Sequence, residues 1–264
     1  MSKLADRFRQ GLPLTGVPVI DIHCHLGASS DYYTIPRSRP GEVVTYMDRF
    51  GIDHIITFSI AVSSDAAAAN ELQYAAVDQY PDRYSALICL HAAFPQDWPA
   101  LLKEGHRRRA RGIKLISQYQ SVPEESIDWS PAFDFARDKN WAVLHHYWGS
   151  PERLERWAKA YPSLVFIEGH ATLDYKKLLV KYPNVYQCTC ACFVNWMCSF
   201  MDLYKNLPVE KILYGSDALD LDFGTGLGPI VLADIPEHDK EKILGRNALD
   251  IARRLKWKLG IKAK

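Results

Sequence analysis

No apolar run in this sequence approaches the roughly 18 residues of a membrane-spanning helix, and residues 1–16, MSKLADRFRQGLPLTG, lack the apolar core and small-residue cleavage site of a secretory signal. A membrane protein is therefore not expected, and a cytoplasmic location is. An excess of one charge is missing too: 32 Lys and Arg stand against 31 Asp and Glu, a formal net charge of +1. Such a chain has no overall field to draw nucleic acid or an anionic membrane surface, so neither is expected as a partner. The local exception is HRRRAR at 106–111, which lies between a helical pattern and a strand pattern and reads as a solvated face. Cysteine is sparse. Six in 264 residues, most in apolar, strand-like surroundings, do not make a disulfide framework and are expected to be reduced. Low-complexity segments and long linkers are also absent, so residues 1–264 are read as a single domain.

What is present is an alternation. Short runs rich in Val, Ile, Leu and Tyr occur at 17–23, 53–60, 83–91, 111–117, 141–146, 164–170, 184–190 and 211–217. Segments of helical period separate them, several opening on a Ser or Asp cap and closing before Pro or Gly. The C-terminal IPEHDKEKILGRNALDIARRLKWKL reads as two amphipathic helices. Eight strand-then-helix units predict an α/β fold, a TIM-type (β/α)8 barrel, because closure removes exposed strand edges. An open doubly wound sheet is the alternative.

The unusual residues collect at the ends of the predicted strands, where such barrels do their chemistry. In VIDIHCHLG, His23 and His25 share one face of the first strand and Cys24 takes the other. Lys114 lies in the fourth strand, His145 and His146 end the fifth, His170 ends the sixth and Asp217 ends the eighth. Five of nine histidines thus stand at strand ends, joined by an aspartate where the barrel would close beside the first strand. Imidazole nitrogens and a carboxylate oxygen are the donors of a divalent-metal site with one position left open. Taken singly, each residue has a plainer reading, such as a satisfied core histidine or an aspartate cap. Cys188, Cys190 and Cys192, read as sharing a strand face, are assigned to packing. Tyr147, Trp148, Phe193 and Trp196 form either an aromatic wall for substrate or a cover for the barrel mouth.

The phrases VIDIHCHLG, RGIKLIS, WAVLHHYWG, FIEGHATLD, KILYGSDAL and KILGRNALDIARRL occur in an order and spacing that resemble the amidohydrolase superfamily, most of all its amidohydrolase-related branch of metal-dependent hydrolases and decarboxylases. The resemblance spans residue 17 to about residue 255. It implies His23, His25, His146 and Asp217 as ligands of one divalent ion, Zn2+ being expected, with His146 preferred to His145. It implies Asp217 as the proton-handling group and His170 as the group polarising substrate or water. Lys114 is implied either as a carboxylated ligand or as an ammonium that binds a substrate carboxylate, and Trp148 is a further candidate substrate contact. The expected activity is hydrolysis of an amide, ester or lactone-type small molecule by activated water. Nonoxidative decarboxylation in the same site is the first alternative, and a non-catalytic metal or ligand-binding barrel the second. Substrate identity and oligomeric state stay open, a homo-oligomer included.

Overall fold

A computed structural model describes residues 2–27, 38–59, 65–194 and 197–261. Its strands are β1 (Ile20–His25), β2 (His54–Phe58), β3 (Tyr84–Cys89), β4 (Gly112–Leu115), β5 (Ala142–His145), β6 (Val165–Glu168), β7 (Val185–Cys188) and β8 (Ile212–Leu213). They form one parallel sheet in sequence order, β1 to β8. Every strand falls in its expected run, although β1 continues through His25 and β8 is only two residues long.

Closure is made by backbone hydrogen bonds between β1 and the segment that leaves β8. The Ile22 amide donates to Tyr214 O at 3.0 Å, the Asp217 amide to His23 O at 2.9 Å, and the Leu219 amide to His25 O at 3.2 Å. The His25 amide also donates to the Ala218 carbonyl. The result is a (β/α)8 barrel, whose helices include α1 (Lys3–Arg9), α2 (Pro40–Phe50), α3 (Ala66–Gln79), α4 (Trp98–Arg107), α5 (Ser130–Asp138) and α6 (Pro151–Ala160). Then come α7 (Lys176–Lys181), α8 (Phe200–Asn206), α9 (Phe223–Val231), α10 (Glu237–Glu241) and α11 (Asn247–Arg254). The two expected C-terminal helices, α10 and α11, are joined by one π-helical turn, Lys242–Arg246.

The apolar residues divide by strand parity into two clusters. Ile20, Ile22, Ile56, Leu144, Ile167 and Leu213 meet inside the barrel, where Ile251 and Leu255 cover its floor. Val19, Cys24, Ile55, Ile113, Val143 and Phe166 face the helices. Strict alternation from Ile20 and Ile22 would turn Cys24 inward and both histidines outward. The register shows how this is avoided: Asp21 pairs with Ile55 and Cys24 with Thr57, so β1 carries one extra residue between these positions. This bulge reverses the phase of the strand, which bulges beside functional sites commonly do to aim a side chain.

The basic run is held on the surface, as read. Arg108 pairs with Glu71 and Asp78, Arg109 with Asp78, and Arg107 with Glu104. All six cysteines are free thiols. Among the described residues, no helix is long and apolar enough to cross a membrane.

Gly51 ends α2 in the left-handed region at φ 77°, and a Cβ there would stand 2.2 Å from Leu14 O. The left-handed conformation alone costs a side-chain-bearing residue about 1–2 kcal/mol, so Gly51→Ala is expected to lower unfolding free energy by at least that amount in a urea titration. A loss within about 0.5 kcal/mol, as for an ordinary surface site, would contradict the close approach.

Candidate active site

Closure brings the two ends of the chain's chemistry together. Asp217 sits just past β8 at φ 66°, a conformation that aspartate tolerates better than most residues. Its Oδ1 lies 3.0 Å from His25 Nε2 and 3.4 Å from His23 Nε2. Beneath them, one oxygen of the buried Asp21 accepts from the His23 amide at 3.0 Å and the Ser216 amide at 3.1 Å, clamping the first strand to the last. Burial pushes the Asp21 carboxyl up to about 6, against the lowering effect of its Ser216 and backbone hydrogen bonds. Sequence reading gave Asp21 no role, although its spacing two residues before the first histidine was visible.

His23 and His170 are held neutral. Burial, then the Lys114 ammonium, pushes His23 well below the ordinary histidine range, and burial takes His170 down to about 4. For Asp217, burial raises the pKa but is outweighed by the His25 hydrogen bond and by the electrostatic interaction with the His25, His23 and His170 rings, which holds the carboxyl well below its usual range. Neutral imidazole beside carboxylate is the state in which both donate lone pairs.

Lys114 points into the barrel, fully buried, with Nζ 3.4 Å from His23 Nε2 and 4.4 Å from the centre of the Phe58 ring. Among the described residues it makes no salt bridge to a carboxylate. Burial lowers its pKa.

The structure separates the two adjacent histidines as strand alternation requires. His145 turns outward, where Nδ1 accepts from the Tyr147 amide at 3.2 Å and Nε2 donates to Glu124 at 2.8 Å. His146 turns toward the barrel mouth, its Nδ1 2.8 Å from His170 Nε2 and its ring centre 4.7 Å from that of Tyr119. His146 is thus joined to the other ring-bearing residues through His170, whose ring centre lies 5.1 Å from that of His23. It does not enter the His23, His25 and Asp217 group, whose ligand atoms all lie within 4.8 Å of one another.

Two expectations need correction. Trp148 does not line the site: it is fully buried against Phe133 and Phe166, with Nε1 donating to Ile167 O at 3.1 Å. The chain turns back after β5, so this ring packs behind the strands and only the half-exposed Tyr147 reaches the cavity mouth. The three neighbouring cysteines do not share a face either. β7 ends at Cys188 and Ala191 takes φ 62°, so Cys188 and Cys190 lie in the inner cluster while Cys192 packs outside. Phe193 is half-buried, and Trp196 lies outside the described residues.

A cavity of about 460 Å3 opens beside this group, lined by Gln118, His146, Tyr147, Glu168, His170 and Asp174 among others. Glu168, buried at its wall, has an oxygen without a hydrogen bond among the described residues, and burial raises its pKa well above the usual range. Its wall on the Gln118 side is set by Glu124, whose two oxygens accept from Ser117 Oγ, Trp129 Nε1, His145 Nε2 and Arg153 Nε at 2.8–3.0 Å. Neither Glu168 nor Glu124 was singled out in the sequence, because a buried carboxylate has no periodic signature.

Whether the inner residues suit a divalent ion is answered by their chemistry. Nδ1 of both His23 and His25 is buried without a hydrogen bond among the described residues. Two imidazoles with unfilled bonding capacity and one carboxylate, gathered within 4.8 Å, fit such an ion.

The sequence model of a family described as Amidohydrolase matches residues 20–253. No curated protein sequence matches the chain. Among solved structures, the fold is similar to that of 2,6-dihydroxybenzoate decarboxylase from Rhizobium, at 16% identity and TM-score 0.66, over 91% of this chain and 99% of that one. It is similar to 4-oxalomesaconate hydratase from Rhodopseudomonas palustris, at 17% identity and TM-score 0.66, over 90% and 96% of the two chains. It is also similar to a protein from Acinetobacter baumannii described as a probable 2-pyrone-4,6-dicarboxylic acid hydrolase, at 15% identity and TM-score 0.65, over 88% and 98%.

Glu124→Gln replaces an acceptor of four hydrogen bonds and leaves Arg153, 3% exposed, without its buried counter-charge. Breaking a buried pair in this way costs about 3–5 kcal/mol, to be read as a drop in unfolding free energy. The opposing contributions, burial first and then the His145, Ser117 and Trp129 bonds, leave the Glu124 carboxyl lowered from 4.5 to about 2. Its stabilisation is therefore full above about pH 4.5 and is lost as pH falls toward 2, so the gap between wild type and variant should narrow across that window. A gap constant from pH 7 to pH 3 would contradict an ionised Glu124.

Proposed function

The chain belongs to the amidohydrolase family, and from that premise we propose that it is a metal-dependent enzyme hydrolysing a small carboxylated molecule at an amide, ester or lactone bond. The reading rests on one observation: His23, His25 and Asp217 gather their donor atoms at the barrel mouth beside an ammonium that makes no salt bridge to a carboxylate among the described residues. These three residues would hold a divalent ion, Zn2+ by the borderline softness of imidazole. When bound, such an ion supplies Lewis acidity, polarising a substrate carbonyl and making water a stronger acid.

The residues do the rest. Asp217 accepts a proton from the attacking water at a carboxylate oxygen and returns it to the leaving group. His170 donates a hydrogen bond to the oxygen on which charge develops, and His146, 2.8 Å away, fixes which of its nitrogens carries the proton. In this reading His146 orients His170; to serve as a fourth ligand it would have to give up that bond. Lys114 meets the substrate carboxylate, so that an ammonium desolvated by the barrel regains a counter-charge on binding.

A second reading, nonoxidative decarboxylation of a small carboxylic acid, has support from Lys114 and from fold neighbours that act on carboxylated aromatic compounds. The two differ in product: hydrolysis adds water across a bond, whereas decarboxylation releases CO2 and leaves a proton on carbon.

His23→Ala and His25→Ala are each expected to lose bound metal and turnover while far-UV circular dichroism stays that of the folded barrel. Asp217→Asn should keep more metal than activity. Elemental analysis and a screen of lactones, esters and carboxylated aromatics read both. Unchanged metal content in either histidine variant defeats the ligand assignment, and wild-type turnover in Asp217→Asn removes its proton role. Wild-type protein that carries metal yet turns over nothing in the screen would favour a binding barrel.

A further inference from the structure

All three cysteines around β7 are packed, and Cys190 in addition stands against two imidazoles of the barrel mouth. Cys192 lies in the outer core, and Cys188 Sγ accepts from the Cys190 amide at 3.3 Å. Cys190 is fully buried in the barrel mouth with Sγ 3.5 Å from His170 Nδ1. Its Sγ, one nitrogen of His23 and one nitrogen of His170 form a second group whose atoms all lie within 4.8 Å of one another. His23 belongs to both this group and the His23, His25 and Asp217 group, so a soft donor stands next to the harder ones around a single imidazole.

Resting on the metal reading above, we propose that Cys190 is a thiolate ligand of the ion held at His23, and that it makes the site selective for thiophilic divalent ions. A thiolate beside imidazoles favours Zn2+, Co2+ or Cd2+, whereas sites of carboxylate and water suit Mg2+ and Mn2+. Without an ion the thiol stays protonated, because burial and the neighbouring Asp217 carboxylate outweigh the attraction of the Lys114 ammonium for a thiolate. Binding exchanges one S–H proton for the ion, and the proton leaves to solvent. Two anionic donors, Asp217 and Cys190, then balance the charge of a divalent ion. The net positive charge that remains is that of Lys114, which strengthens its claim on a substrate carboxylate. With the thiolate drawn to the ion, His170 keeps its bond to His146 through Nε2, and Nδ1, which faces Cys190 Sγ at 3.5 Å in the ion-free structure, carries the proton it donates to substrate.

The test uses the full chain stripped of metal and reloaded with Co2+ alone, with cobalt content measured independently. Wild type should bind cobalt and show a thiolate-to-cobalt charge-transfer band in the near ultraviolet. Cys190→Ser should bind cobalt and lose the band, and Cys188→Ser should keep it. Bound cobalt without the band, or a band that survives in Cys190→Ser, overturns the proposal while leaving the His23, His25 and Asp217 assignment intact. Protein that binds no cobalt overturns the metal reading itself. X-ray absorption on the wild-type zinc protein needs no variant to fold: a sulfur neighbour at about 2.3 Å supports the proposal, and a shell of nitrogen and oxygen alone refutes it.

Discussion

Everything at the barrel mouth depends on how β1 meets the end of the barrel. Four backbone hydrogen bonds link residues 22–25 with 214–219, and the Asp21 carboxylate ties the His23 and Ser216 amides to one oxygen. Without that seam, His25 and Asp217 would be 192 residues apart along the chain with nothing to hold them 3.0 Å from each other. The extra residue in β1 is the second half of the same constraint. It lets Ile20 and Ile22 fill the interior and still turns His23 and His25 toward the mouth. A strand that kept its phase would have to give up either the apolar filling or the site.

Burial sets the chemistry of the side chains so gathered. His23, His146 and His170 are all pushed toward the neutral form, first by desolvation. Desolvation also makes Lys114 a costly resident of the interior, and the proposed function gives its charge a partner in the substrate carboxylate. The outward-facing Glu124 performs a different task. Its four bonds hold the segment after β4, which carries Gln118 and Tyr119, against β5 and α6. The cavity wall is thereby braced by a buried charge network behind the strands, and its shape depends on residues that never reach the cavity.

Much of this architecture was legible in the sequence. The eight apolar runs and the placing of His23, His25, Lys114, His170 and Asp217 at or near strand ends come directly from period and position. The opposed facing of His145 and His146 follows from alternation, which pleated strands obey. The bulge was not legible, because it appears only when two strands are set in register. Cys192 differs from its expected facing for a related reason: β7 ends at Cys188, and beyond a strand end alternation no longer tells which way a side chain points. Trp148 follows β5 in a connecting segment, where position along the chain does not say which side of the strands a ring takes. Asp21, Glu124 and Glu168 were overlooked because a buried carboxylate is recognised by its partners, which lie far off in sequence. The substrate is illegible on other grounds, since specificity lies in the loops that follow the strands.

The central claim is that His23, His25 and Asp217 share one ion at the barrel mouth. Anomalous diffraction at the zinc edge, on crystals of the full chain loaded with Zn2+ alone, tests it most directly. The account predicts one strong peak about 2.0–2.2 Å from a nitrogen of each histidine and an oxygen of the aspartate. A peak seated elsewhere, or none at this position in protein that carries stoichiometric zinc, would contradict it.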